Sequence, residues 1–199
     1  GAVPINGPIL IINPRPAAPT GPVNNVACST DATGAPISVT APGVGFTIVW
    51  SSTASPTFTA AVGATSGTRG NTFTPTSNAT ATYHAFTRSD VGPTFCLSVA
   101  SLAVNHTRDL IPSPAAAGPD QPLLCSTNAT LAATAVNNGG TGTWSLVGPV
   151  GTIVITSPNS PISTVTGLPQ DVPGGAPILT TLRWRATSLL GVCPPTDDF

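Results

Sequence analysis

The sequence predicts an all-β protein built of two tandem antiparallel β-sandwich modules. Three observations carry that prediction: a composition that disfavours helices, apolar residues recurring at period two, and a repeat that divides the chain near its middle. Lys, Glu and Met are absent while Thr, Val, Gly and 23 Pro are abundant, which suits strands interrupted by turns. Charged residues make up 7% of the chain, against about 25% in an ordinary soluble domain.

The repeat is clearest in the cysteines. Cys28 and Cys96 stand 68 residues apart, as do Cys125 and Cys193, and the second pair follows the first at an offset of 97. The flanks agree: Pro14-Arg15-Pro16-Ala17-Ala18 matches Pro112-Ser113-Pro114-Ala115-Ala116, and Cys28-Ser29-Thr30-Asp31-Ala32-Thr33 matches Cys125-Ser126-Thr127-Asn128-Ala129-Thr130. Each copy carries a Trp within its cysteine pair, Trp50 at 22 residues past Cys28 and Trp144 at 19 past Cys125. Two modules of sandwich size follow, residues 14–111 and 112–199. Ile111-Pro112-Ser113-Pro114 cannot continue a central strand and reads as a short linker.

Individual strands are legible inside the modules. Phe46, Ile48 and Trp50 alternate with Thr47 and Val49; Leu131, Ala133 and Ala135 alternate with small or polar residues; Leu182, Trp184 and Ala186 alternate with Arg183, Arg185 and Thr187. Each pattern describes a strand with one buried face, and Trp50, Trp144 and Trp184 are candidate core residues. Turn clusters separate the strands: Ala41-Pro42-Gly43, Asn137-Asn138-Gly139-Gly140 and Pro173-Gly174-Gly175.

The ends suggest an offset between module and chain. Leu97 to Val104 reads as the closing strand of module one, whereas only six residues follow Cys193, so module two is expected to lack its last strand. Residues 1–13, with the apolar run Ile9-Leu10-Ile11-Ile12, stand where a preceding module would end. Two explanations fit: a slice of a longer covalent array, or a subunit whose N-terminal segment supplies the missing strand of the next copy, with Ile9, Leu10, Ile11 and Ile12 as strand donor. Both expect a head-to-tail thread and make the chain's partner another copy or module of itself.

Four cysteines outside any Cys-x-x-Cys spacing read as disulfides, and of the three possible pairings the repeat selects Cys28 with Cys96 and Cys125 with Cys193. Such bonds imply an oxidising, extracellular compartment. His84, between Tyr83 and Ala85, and His106 read as ordinary strand histidines, since no Gly-x-Ser-x-Gly elbow accompanies either. Arg183 and Arg185 flank Trp184 on a solvated face. Asp31, Asp90, Asp109, Asp120 and Asp171 are mostly single acids in turn contexts with no Asp-x-Asp-x-Asp-Gly loop, so neither metal nor cofactor is expected, with calcium between the modules as the open alternative. Asn78, Asn105 and Asn128 each open an Asn-x-Thr triplet, the acceptor pattern for N-glycans.

Several function classes are disfavoured at this stage. A net charge of −1 supplies no basic surface for nucleic acid. The longest wholly aliphatic run, Ile9 to Ile12, falls far short of the roughly 20 residues that span a bilayer. Residues for acid–base or phosphoryl chemistry are scarce, so no catalytic activity is expected. Without Lys, neither Lys–Asn isopeptide bonds nor sortase polymerisation can operate. Cohesion is left to disulfides, sheet pairing and apolar contact.

Module two also carries a family resemblance. Ala117-Gly118-Pro119-Asp120-Gln121 leading to Leu124-Cys125, then Gly142-Thr143-Trp144, Pro158-Asn159-Ser160-Pro161, Val165-Thr166-Gly167-Leu168, Arg183-Trp184 and Cys193-Pro194-Pro195, resembles the PKD-like or Ig-like repeats of giant Bacteroidetes surface adhesins, including gliding-motility adhesins and other cargo of type IX secretion. The resemblance covers about 85 residues; module one shares only the cysteines, the Trp and the Pro-rich lead-in. It implies secretion, a cell-surface location and a spacer or stalk role with no catalytic residues. The resulting expectation is an extracellular structural segment of a surface fibre or adhesin stalk. Its alternatives are a module that binds surface glycans and an accessory segment of a larger secreted enzyme.

Overall fold

A computed structural model describes residues 12, 14–32, 34–54, 70–89, 95–122, 125–148, 152–170 and 174–199. The described residues contain strands and no helix. The chain divides into two compact units: unit 1 takes Gly1–Asn25 and Thr33–Thr107, and unit 2 takes Val26–Ala32 and Arg108–Phe199. The division therefore falls at Thr107 rather than at the Pro112–Pro114 linker, and the segment around Cys28 groups with the second unit. Each unit is an antiparallel β-sandwich.

Unit 1 contains β1 (Asn25–Cys28), β2 (Ile37–Ser38), β3 (Phe46–Ser51), β4 (Thr72–Phe73), β5 (Ala81–Ser89) and β6 (Leu102–Asp109). The last residues of β1 and β6 belong to unit 2. One sheet runs β1-β6-β5-β3 and the other pairs β2 with β4. Both sheets contribute to one core of Ile37, Val39, Ile48, Trp50, Phe73, Ala85 and Val104. Trp50 is fully buried and stacks on Phe73 at 5.8 Å, and its indole N–H donates to the Gly70 carbonyl at 2.8 Å, so the one polar atom of the largest core side chain is satisfied. In β3 the burial departs from strict alternation: Ile48, Val49, Trp50 and Ser51 are all buried. The closing strand β6 starts at Leu102, about five residues later than the apolar run from Leu97 suggests, because Ser98 to Ser101 form a bend held by Ser98 Oγ donating to the Ala100 carbonyl.

Unit 2 contains β7 (Asn128–Ala132), β8 (Thr141–Val147), β9 (Val154–Ile155), β10 (Ile162–Thr166), β11 (Thr181–Thr187) and β12 (Thr196–Asp198). The sheets are β7-β10-β9 and β12-β11-β8. Leu131 and Val165 from the first sheet meet Trp144 and Trp184 from the second. The two Trp residues are register partners across β8 and β11, with ring centroids 5.1 Å apart. Ahead of β8, Asn138 and Gly139 both take positive φ, 53° and 73°, and Gly140 N–H donates to the Asn137 carbonyl, the reversal that Asn-Gly pairs favour. Unit 2 ends with the three-residue β12, paired with Trp184, Arg185 and Ala186 of β11.

The cysteine pairing is corrected by the structure. Cys28 is joined to Cys193, with Cα atoms 4.7 Å apart, rather than to Cys96; Cys125 is an exposed thiol and Cys96 a half-buried one. The cause lies in the path of β1. Its last three residues and the turn that follows belong to unit 2, where Ser29 N–H donates to the Asp109 carbonyl and Arg108 Nη1 donates to the Cys28 carbonyl at 2.8 Å.

Candidate functional site

Two features of unit 2 bear on function. The first is the polar knot around the disulfide. Asp109 ends β6, is 1% exposed, and gathers four donors: the Ser188 hydroxyl and the Val192 and Cys193 amides on Oδ2, and the Leu190 amide on Oδ1. Burial alone would raise its pKa; the Ser188 hydroxyl and the Val192, Leu190 and Cys193 amides outweigh that and hold the carboxyl below its ordinary value. Next to it, the buried Arg108 donates to the carbonyls of Cys28 and Asp31. Asp31 Oδ2 accepts from the Cys28 amide, and the Thr30 hydroxyl donates to Cys28 Sγ at 3.1 Å. Arg108 and Asp109 thus fix both halves of the bridge, one through the turn after Cys28 and the other through the loop 188–193.

The second feature is a groove of about 650 Å³ that opens on the core of the same unit. Its walls include Leu131 and Val165 from one sheet and Trp144 and Leu182 from the other, with Leu179 and Phe199 exposed at its rim. The β8 side of β11 is paired from Thr181 to Thr187. On the β12 side Trp184 to Ala186 are paired with Thr196 to Asp198, a register that sets Phe199 opposite Arg183. The corresponding strand of unit 1, β5, is paired with β6 from Ala81 to Ala85. An opening lined by apolar core residues is a surface that another segment can cover.

The other residues singled out in the sequence are dispersed. Trp50, Trp144 and Trp184 are buried. Ile9, Leu10 and Ile11 lie outside the described residues, and Ile12 is 78% exposed and in no strand. Asn78, Asn105 and Asn128 are exposed. His84 Nδ1 lies 3.3 Å from Ser101 Oγ, and His106 is fully buried on β6. Arg183 and Arg185 reach Asp197 at 3.9 and 3.6 Å, and Arg183 Nε donates to Ser145 Oγ. No group of three or more His, Cys, Asp or Glu among the described residues is placed to hold a metal. No helix among them is long and apolar enough to cross a membrane.

Asp109 is the residue that sequence reading misplaces, as a turn acid. Its donors come from a loop some 80 residues away, and three of the four are backbone amides, which any sequence would supply. The available signal was the pair Arg108-Asp109 standing directly before Leu110-Ile111 in a chain so poor in charge.

No family model matches the chain, and no curated protein does. Among solved structures, the FN1–FN3 domains of chicken CNTN1 are similar at 12% identity and a TM-score of 0.36, over 93% of this chain and 67% of that one. Bovine butyrophilin is similar at 11% identity and the same TM-score, over 91% of this chain and 95% of that one. The sandwich assignment rests on the strand pairing described above.

Proposed function

We propose that the protein is an extracellular structural segment of a surface fibre or adhesin stalk, assembled head to tail, with the apolar segment Ile9-Leu10-Ile11-Ile12 of one copy added as a strand to the open flank of unit 2 in the next. The observation that carries this reading is the groove of unit 2 that opens between its two sheets onto Leu131, Trp144 and Val165. A strand laid along the groove turns alternate side chains into it. Four consecutive aliphatic residues between Pro8 and Pro14 match that requirement. The Cys28–Cys193 bond supports an oxidising location, and the likeness of module two to adhesin repeats supports a stalk.

Deleting residues 1–13 tests the reading. Fibres seen by electron microscopy of the full chain are expected to vanish in the deletion variant while its Cys28–Cys193 bond still forms. Fibres of unchanged length and number from the deleted chain would refute strand donation.

A further inference from the structure

The disulfide decides which part of the chain can feel a pull. Cys28 and Cys193 are separated by 165 residues in sequence, yet their Cα atoms stand 4.7 Å apart. Tension that enters the backbone upstream of Cys28 and leaves it downstream of Cys193 has two covalent routes. The short route passes through two sulfurs and the long one through residues 29–192. A backbone segment resists a pull only when its ends are drawn apart, and the ends of the long route stay 4.7 Å apart while the bond holds.

Both cores lie on the long route. Trp50 and Phe73 of unit 1 and Trp144, Val165 and Trp184 of unit 2 all fall between the two bonded cysteines. Upstream of Cys28, the loaded chain is held to unit 1 by few bonds: the Thr40 amide donates to the Thr20 carbonyl, Val23 and Ser38 exchange two backbone bonds, and the Asn24 side chain accepts the Asn105 amide. Downstream of Cys193 the loaded chain includes β12, three residues long. These contacts give way first, and the pull then reaches the sulfurs. The bridge is well seated to receive it. Cys28 and Cys193 are each 2% exposed, the Cys28 carbonyl accepts from Arg108, and the Cys193 amide donates to Asp109. Burial also keeps dissolved thiols from attacking the bond.

We infer that the Cys28–Cys193 bond is the tension-bearing link of this chain, a covalent bypass that takes axial load off both sandwich cores. A core on the loaded route unfolds at a rate that force accelerates, and each unfolding event lengthens the tether. A core inside the bypass is spared both. The source of the load rests on the stalk reading; the path of the load rests on the bond alone.

The test pulls single full chains in an optical trap, with handles attached at residues 1 and 199. Without reductant, residues 1–27 and 194–199 should straighten, a gain of about 120 Å, and nothing more should be released before the handles detach. In dithiothreitol, or in Cys28→Ser, the same pull should reach a length greater by about 600 Å, the contour of the 165-residue separation. That difference is expected whether or not the reduced chain is folded, because contour length counts residues and not contacts. A Cys96→Ser, Cys125→Ser double variant should pull like the wild type. Release of more than about 300 Å from the wild type without reductant would overturn the inference, as would a double variant that extends like the reduced chain. Because one chain is pulled at a time, a failed trace rejects the load path and leaves the fibre reading standing. Fibres that persist after deletion of residues 1–13 reject strand donation and leave the trace as it is.

Discussion

The Asp109 carboxylate accepts the hydroxyl proton of Ser188, tying the last residue of β6 to the residue that follows β11. Around that contact the Leu190, Val192 and Cys193 amides turn inward to the same carboxylate. A loop with three amides pointing into the protein needs a buried acceptor, and a carboxylate with four lone-pair sites meets that need where a neutral side chain cannot. The loop then delivers Cys193 to Cys28, so the polar knot positions the sulfur bridge.

Replacing that acceptor should be costly. In Asp109→Asn, an amide nitrogen facing Oδ2's position meets the Ser188 hydroxyl and two amides, and the opposite flip sets it against the Leu190 amide; either way donors face donors. Asp109→Ala leaves all four donors buried without an acceptor. Both variants should lose about 3 kcal/mol or more of unit 2 stability, read from the urea midpoint. Loss below about 1 kcal/mol would mean that water replaces the carboxylate.

Acid should act through the same group. The pKa of Asp109 is lowered in the folded chain, so its contribution to stability is fully present above the ordinary carboxylate pKa of about 3.9. It is lost as the pH falls through the lower, folded value. Thermal melts followed from pH 7 down to pH 2 should show a drop in unit 2 stability in the wild type that is much smaller in Asp109→Asn. Parallel pH profiles for the two proteins would assign the acid sensitivity to another group.

Strands with bulky apolar residues at period two, β3 and β11, were legible in the sequence because one large Trp per strand dictates which face is buried. The strand expected around Leu131 is present but short, ending at Ala132, since Ala133 and Ala135 are too small to hold a face by burial alone. The cysteine period was legible and the pairing was not. Spacing reports that two copies exist, whereas pairing depends on where the chain after Val26 goes, and that is fixed by backbone contacts of Ser29, Arg108 and Asp109. The groove was invisible for a related reason: its walls bring Leu131, Trp144 and Val165 together from strands far apart in the chain, and none of them marks the opening on its own.

Removing the bridge should destabilise unit 2 strongly. Cys28 and Cys193 are 165 residues apart in sequence, and closing a loop of that length removes about 5 kcal/mol of denatured-state entropy in the chain-entropy model. Cys193→Ser and Cys28→Ser should each lower the unfolding midpoint by a comparable amount, and the double variant should cost no more than either alone, because both remove one bond. Additive losses in the double variant would show that the two sulfurs contribute independently, and the single-bond account would fail.

Close packing beside Trp184 gives a sharper expectation at Gly142. This glycine lies on β8 opposite Ala186, and a Cβ added to it would fall inside contact distance of Trp184 Cζ2, Cη2 and Cε2. The indole is 1% exposed and packed against Trp144, so the ring cannot swing clear without opening the core. Gly142→Ala should therefore cost about 1–3 kcal/mol by overpacking, despite adding a single methyl group and favouring the strand backbone. Gly43→Ala is the control, since a methyl group there would meet nothing within 4 Å; it should stay within about 0.5 kcal/mol of wild type. Shrinking the neighbour should rescue the effect: in a Trp184→Leu background the further change Gly142→Ala should cost much less than it does alone, a coupling that a double-mutant cycle measures directly. If Gly142→Ala proves as mild as Gly43→Ala, the ring does not press on β8 as described, and the Trp144–Trp184 pairing at the centre of unit 2 would have to be redrawn.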